Sequence, residues 1–469
     1  MKRDNLANKL AFASCDIFGG GSFNIINFLY PGFLALTVGL SPYWISFVVL
    51  IARLWDAISD PMMGRISDAT RSRFGKRRVY LIAASPLVLI SFFLLFFPYS
   101  FSSTALRVLS ALGSYLLFYT VQTMVMIPYI SLSSEIAGEY QARAAYNSVR
   151  LGFSIFSSIV CVAVPGMVVN AFEGTRGFMV MGLIFGSVFA IAVLVTGLFA
   201  REEISTPPVT KADSFASIKK LITLRPFRMY LAMHLLLSST MTVMSALFFF
   251  FVDFYIYRDL TAMGQPNMVR LIAAALMFSM QIVALPFYTR LIGVKGKPYA
   301  YSFGAFIWII CGLLLLLVKP GVNDLYIYIL AAAMGFGISG PGLVPHTMFG
   351  DVSDYASLTF RERKDGLIGG SVNFMNKTVQ AVVLSIVMLI IGRYGFIEAE
   401  PGKQVLAQPE SAQNAIKAIM AFAPLLFMSA GIFISTKYKI SRKVQQEIAD
   451  ILNSGDYANA GKVVEYLQN

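Results

Sequence analysis

From Phe12 to Thr436 the chain carries one apolar run after another, and each is long enough to cross a bilayer core, which takes about 20 residues in a helix. No other feature limits the fold as tightly. In hydrocarbon every backbone N–H and C=O must bond within the protein, and an α-helix satisfies them inside its own segment. We read twelve spans: about Phe12 to Leu36, Tyr43 to Met63, Val79 to Phe97, Val108 to Ile130, Leu151 to Val169, Phe178 to Phe199, Met229 to Tyr255, Leu271 to Leu291, Tyr299 to Val318, Leu325 to Gly342, Leu367 to Ile391 and Ala418 to Thr436. With 57% hydrophobic and 13% charged residues in 469, there is too little polar surface for a soluble globule. The class is an all-α membrane protein. No cleavable signal peptide is expected, because the first apolar run continues at transmembrane length.

Lys and Arg fall in every second connection: at Lys2, Arg3 and Lys9, after span 2, in a polar segment from Arg201 to Arg228, around Arg290 to Lys297, at Arg361 to Lys364 and after span 12. By the positive-inside rule both termini lie in the cytoplasm, in a multi-pass protein of the plasma (inner) membrane. The formal net charge of +13 is therefore topological bias, not a nucleic-acid footprint, since no continuous basic face exists. The expected organisation is a six-helix half over 1–200, a cytoplasmic linker over 201–228, a second six-helix half over 229–437 and a tail over 438–469. The linker after Ser214 and the tail after Ser441 have apolar residues at helical spacing and read as short interfacial helices. SRFGKRRVY after span 2 is echoed by GVKGKPYAY after span 8, so Gly75-Lys76 and Gly296-Lys297 hint at a duplicated six-span unit.

Arg53, Asp56 and Asp60 interrupt span 2 at spacings of three and four, which places them in one stripe with two carboxylates a turn apart. Ionisable groups inside a span are expensive and mark function by default. Two close carboxylates repel, so one holds a proton or both share a cation. Ser59 is an additional oxygen donor for a small hard ion such as Na+. Pro61 is expected to kink the helix there. The competing reading is that both acids merely pair with Arg53 and a lysine to join helices.

Lys377 lies too deep in span 11 to reach the cytoplasm, and Asn373, Asn376 and Gln380 add polarity beside it. It is expected to face the acidic pair. Arg150 opens span 5 and either contacts substrate or anchors at the interface. Asp16, near a flexible Gly19 to Ser22 run, either pairs helices or contacts substrate. Asn24, Asn27, Tyr119, Gln122 and Thr123 either line a cavity or make interhelical hydrogen bonds. His234 and His346 share no motif and are given no role. The three cysteines, Cys15, Cys161 and Cys311, show no metal or disulfide pattern. No nucleophile–base or metal constellation appears, which speaks against an enzyme.

RLWDAISDP, DATRSRFGKRR, IPYISLSSEI, and DVSDY followed by RKDG and NK together resemble the glycoside-pentoside-hexuronide:cation symporter family, the melibiose permease-like branch of the major facilitator superfamily. The resemblance spans essentially the full chain. It implies two six-helix halves around a substrate cavity, no cofactor beyond a coupling Na+ or H+, a monomer, and membrane lipid as the surrounding partner. It implies cation ligands at Asp56, Asp60, Ser59 and Thr123, where serine replaces a family asparagine and leaves sodium selectivity open. It also implies Arg53 and Lys377 as charged partners of that site, Arg150 near the sugar, and a cytoplasmic gate at Asp351, Asp354 and Arg363. Substrate-binding candidates are Asp16, Asn24, Arg53, Gln122, Arg150, Asn373 and Lys377. Gly20, Met126 and Ile130 stand where galactoside-binding members carry two acids and a tryptophan, so a galactoside is not expected. A hexuronide or other glycoside is. A lysolipid transporter of the same superfamily is the alternative, since Met126 and Ile130 suit an acyl chain.

Overall fold

The computed structural model describes residues 6–135, 140–172, 174–200, 214–257, 268–361, 365–397, 408–454 and 460–468. Within them the chain is helical throughout, with no strand among the described residues. In order come α1 (Leu6–Ala13), α2 (Cys15–Leu36), α3 (Pro42–Ala69), α4 (Arg78–Leu95), α5 (Thr104–Glu135), α6 (Tyr140–Asn170), α7 (Arg176–Phe199), α8 (Ser214–Thr223), α9 (Arg225–Phe250), α10 (Met268–Val283), α11 (Leu285–Lys295), α12 (Lys297–Leu314), α13 (Asp324–Phe360), α14 (Asp365–Arg393), α15 (Glu410–Thr436), α16 (Arg442–Ser454) and α17 (Ala460–Gln468). A π-helical turn, Phe251–Ile256, extends α9.

Ten segments among the described residues are long and apolar enough to cross a membrane, with α9 and its π turn forming one and α10 with α11 another. α2 and α3 complete the twelve spans. They fall short of the apolar criterion because they carry the polar residues: α3 holds Arg53, Asp56, Asp60, Arg65 and Asp68, and α2 holds Asp16, Asn24 and Asn27. The hydropathy deficit marks the site.

Local signals set the ends. Extended Ser41 with Pro42 at the first helical position starts α3. The Asn323 side chain accepts from Leu325 N at 2.9 Å to start α13. Pro61 does not end α3, which runs on to Ala69. Span 10 is much longer than its apolar run suggests: α13 continues through Pro341 and Pro345 to Phe360 over 37 residues. Asp351 and Asp354 therefore stand on this helix rather than in a loop. Gly75 and Gly296 both take positive φ, 102° and 87°, so both Gly-Lys echoes use the backbone freedom of glycine.

The chain divides into two compact units, one of Met1–Pro208, Ser245–Ala275 and Leu384–Ile416, the other of Val209–Met244, Leu276–Val383 and Lys417–Asn469. In the first, α2 packs on α6 and α7, α3 on α5, and α4 on α5 and α7. Its core is aromatic: Phe92 and Phe189 meet edge-on at 5.1 Å, and Tyr30 lies 4.7 Å from Tyr115. Pairs of this kind contribute about 0.5–1.5 kcal/mol beyond their area. The Gly19 to Ser22 run lies within α2. Gly19, Gly21 and Ser22 are buried, and a Cβ on Gly20 or Gly21 would lie 2.5 Å from Ser154 Oγ or 2.3 Å from Ser157 Oγ, so these glycines let α2 approach α6. In the second unit α13 packs on α11 and α12, with α16 and α17 seated on it. The segments expected as interfacial helices are helical at Ser214–Thr223 and Arg442–Ser454.

Candidate functional site

In the first unit α3 and α5 bring four oxygen-bearing side chains to one point. Thr123 Oγ1 lies 3.0 Å from Asp60 Oδ1 and 3.2 Å from Asp56 Oδ1, and 3.0 Å from Ser59 Oγ. Ser59 Oγ also donates to Asp56 O at 3.1 Å. Asp56, Ser59 and Thr123 are buried, with Asp56 only 1% exposed. Helical periodicity explains half of this: positions 56, 59 and 60 share a face of α3, and the packing of α5 against that face supplies Thr123. The result is a small cluster of hard oxygen donors with two carboxylates, the donor set that suits Na+, or a proton on one of the acids.

Arg53, 2% exposed, sits one turn before Asp56. Its Nη2 donates to Asn27 Oδ1 on α2 at 2.9 Å, and its guanidinium carbon lies 5.8 Å from the Tyr119 ring centroid. Tyr119 in turn is 3.2 Å from the Tyr115 hydroxyl. Gln122, beside Thr123, is buried, and its Oε1 has no hydrogen-bond partner among the described residues.

A second charged pair stands nearby in the chain but on other helices. Arg150 Nε donates to Asp16 Oδ2 at 2.7 Å, and the Arg150 guanidinium carbon lies 5.3 Å from the Tyr129 ring centroid. Arg150 is thus the partner of Asp16 in this structure. Asp16, Gly20 and Asn24 are spaced four apart on α2, and Asn24 Nδ2 donates to Gly20 O at 3.0 Å. The carboxylate facing Arg150 comes from one turn before Gly20, where Ser154 leaves no room for an acid.

Lys377 and Asn373 lie on α14 in the second unit, Lys377 half-buried and Asn373 exposed. Of the expected gate residues, Arg363 lies outside the described residues. Asp351 is buried, takes a salt bridge from Lys297 Nζ at 2.6 Å, and accepts from Tyr438 Oη at 3.2 Å. Lys297 also donates to Thr347 O at 3.1 Å. Burial and the adjacent Asp351 carboxylate push the Tyr438 phenol well up, which keeps it a donor. Lys297 and Tyr438 are partners of Asp351 that no sequence motif singles out. The Gly-Lys echo falls on Lys297 without indicating that role.

With this geometry in view, a sequence model of the family described as MFS/sugar transport protein matches residues 11–442. The chain belongs to this family. It is 25% identical to the uncharacterized symporter sll1374 of Synechocystis sp. over 98% of this chain and 100% of that protein. It is 24% identical to the uncharacterized symporter YjmB of Bacillus subtilis over 96% of both. It is also 21% identical to the sodium-dependent lysophosphatidylcholine symporter 1 of Xenopus tropicalis, over 94% of this chain and 89% of that one. The crystal structure of the nucleoside transporter NupG superposes with a TM-score of 0.59 at 11% identity, over 94% of this chain and 100% of that one. The fold is accordingly that of the major facilitator superfamily, and this family member is a multi-pass integral membrane transporter rather than an enzyme.

Proposed function

We propose that this family member is a cation-coupled symporter of the glycoside-pentoside-hexuronide type, importing a glycoside or hexuronide by alternating access. The observation that carries this reading is the convergence of Asp56, Ser59 and Asp60 on the Thr123 hydroxyl. Na+ or H+ bound there cancels one of the two carboxylate charges, with Arg53 one turn before to offset the other, and the compensated site favours the solute-loaded state. Asp56, Asp60, Ser59 and Thr123 hold the ion. Arg53, Gln122, Asp16, Arg150, Asn24, Asn373 and Lys377 are the groups assigned to the solute, and Asp351, Asp354 and Arg363 to the cytoplasmic gate. The termini are assigned to the cytoplasm, the protein to the plasma (inner) membrane, and the working form to a monomer.

The Asp16–Arg150 pair bears on the solute. Its charges cancel, and a glycoside hydroxyl or uronate oxygen can bond the guanidinium donors that Asp16 leaves over. A lysolipid is the second reading, supported by the relatives named for that substrate and by apolar Met126 and Ile130 on α5, Ile130 being 45% exposed.

Counterflow in proteoliposomes decides between them. Methyl glycosides, methyl glucuronides and a lysophospholipid are each offered under an imposed Na+ or H+ gradient. The proposal expects a glycoside or glucuronide to be accumulated by wild type and Asp60→Asn to abolish gradient-driven accumulation. Full gradient-driven uptake by Asp60→Asn removes the coupling claim, and transport of the lysophospholipid alone removes the sugar claim.

A further inference from the structure

We propose that His234 and His346 form a solute site in the second unit, where the two imidazoles share one ring hydroxyl of a sugar-type solute and the aromatic rings beside them provide its apolar wall. The inference rests on the reading of the chain as a glycoside or hexuronide symporter and assigns that solute a contact that no motif signals.

His234 on α9 and His346 on α13 stand 112 residues apart in sequence, yet their ring centroids lie 6.3 Å apart with planes at 80°. A direct N–H···N bond of about 3 Å would bring the centroids to about 5 Å, so these rings do not bond each other. The separation instead leaves space for a single oxygen atom within about 2.8 Å of a nitrogen on each ring. A neutral imidazole offers one donor nitrogen and one acceptor nitrogen, and a hydroxyl both donates and accepts. One hydroxyl therefore satisfies both rings, with the proton of one imidazole pointing at the oxygen and the hydroxyl proton pointing at the other.

Three observations indicate that this space is built for a ligand. First, His234 Nδ1 is buried and has no hydrogen-bond partner among the described residues. An unsatisfied buried polar group costs about 1–3 kcal/mol, a cost a bound hydroxyl would remove. Second, His346 is exposed although it stands near the midpoint of the 37-residue α13. An ionisable ring on a membrane-spanning helix is costly against lipid, and the proposal therefore turns it toward a wet space. Third, the flanking positions on the same face of α13 are glycines. A side chain at Gly342, one turn before, would meet only Gln281 Nε2 at 3.6 Å, and one at Gly350, one turn after, would meet nothing within 4 Å. The helix is stripped of side chains on both sides of the ring.

The rings continue outward from the pair. Tyr230 lies 6.1 Å from His234, centroid to centroid, and Phe349 lies 6.4 Å from Tyr230. A sugar ring presents C–H groups on its faces and hydroxyls on its rim, and an aromatic wall with one hydrogen-bonding pair matches both. A purely acyl ligand would leave His234 Nδ1 unpaired. The Gln281 amide at the margin offers a further donor.

The test is counterflow of methyl glucoside and methyl glucuronide by reconstituted full-length protein, with wild type, His234→Phe, His346→Phe, His234→Asn and His346→Gln compared. Phenylalanine keeps the ring and removes the nitrogens, while the amides return a donor and an acceptor near the ring-nitrogen positions. The expected result is a rise of about tenfold or more in KM for the transported sugar in each Phe variant, the loss of one hydrogen bond to a desolvated group, with at least one amide variant within about threefold of wild type. The cation-induced thermal shift is measured on the same preparations. It should be unchanged, because the ions bind in the other unit. An unchanged KM in both Phe variants overturns the proposal, and so does an equal loss in all four variants with a lowered thermal midpoint, which marks a packing role. A wild type that moves the lysophospholipid and neither sugar overturns the sugar reading and this inference together. Sugar transport by wild type with normal histidine variants overturns this inference alone.

Discussion

The Thr123 hydroxyl lies 3.0 Å from Asp60 Oδ1 and 3.2 Å from Asp56 Oδ1. A hydroxyl has one hydrogen, so it donates to one carboxylate and turns a lone pair toward the other. That arrangement is tolerable with a cation between the oxygens or a proton on one acid. Thr123→Val keeps the shape and removes the oxygen. The expected outcome is a rise of about tenfold in the cation concentration for half-maximal uptake, with maximal counterflow largely kept; Thr123→Ser should behave as wild type. Cation-dependent thermal shift and initial uptake rates read this directly. An unchanged half-maximal concentration in Thr123→Val would remove Thr123 from the ion site.

Gly20 and Asp16 make a packing prediction. A methyl group at Gly20 would meet Ser154 Oγ at 2.5 Å and the Ser154 backbone at 3.1 Å, whereas one at Gly113 would meet nothing within 4 Å. Gly20→Ala should therefore destabilise the first unit by about 1–3 kcal/mol, and Gly113→Ala should not destabilise it. The midpoint of thermal unfolding in detergent compares the two. Gly20→Asp should fare worse still, because the new acid would be overpacked and beside a guanidinium already paired with Asp16. Equal midpoints for Gly20→Ala and Gly113→Ala would show that α2 and α6 separate easily.

Asp351 in the second unit is 1% exposed at its side chain and Lys297 16%. Removing one partner strands a buried charge, at about 3–5 kcal/mol, whereas replacing both with apolar residues is close to neutral. Lys297→Met should be strongly destabilising and Asp351→Leu/Lys297→Met should recover most of the loss. Tyr438→Phe removes one neutral donor and should cost about 1 kcal/mol. A double-mutant cycle on thermal midpoints measures the coupling, and a cycle that closes additively would mean that the pair contributes nothing beyond its separate parts.

The periodic features were legible in sequence. Positions 53, 56 and 60 share a face on any α-helix, and the apolar runs fixed the spans because hydrocarbon leaves the backbone no alternative. Thr123 needed the family resemblance, since nothing in the order of residues joins position 123 to position 60. The His234–His346 proximity and the Asp253–Arg270 ion pair were not legible, because each depends on how separate helices pack. The helical state of the Gly19 to Ser22 run is hidden for a related reason: glycine weakens an isolated helix, yet here close approach of α6 requires it. Span 10 ends at Gly342 by its apolar run, whereas α13 continues through Pro341 and Pro345 to Phe360, packed on α11, α12 and α16.

Those contacts extend to the tail. Ile448 on α16 and Val463 and Leu467 on α17 are buried at 0%, 4% and 2% exposure, and Gln468 Oε1 accepts from Arg225 N at 3.2 Å at the start of α9. The tail thus touches both the linker end of α9 and the end of α13 that carries Asp351. Burying a Val or Leu side chain contributes about 1.5–3 kcal/mol, so removing α17 withdraws a few kcal/mol from this end of the second unit. Truncation after Ser454 should lower the thermal midpoint and leave intact the cation-induced shift, which the proposed ion site assigns to the first unit. Val463→Asp/Leu467→Asp should reproduce the truncation by making the docked face polar, and Glu465→Ala, on an exposed position, should not. A truncated protein with an unchanged midpoint would show that the tail rests on α13 without stabilising it.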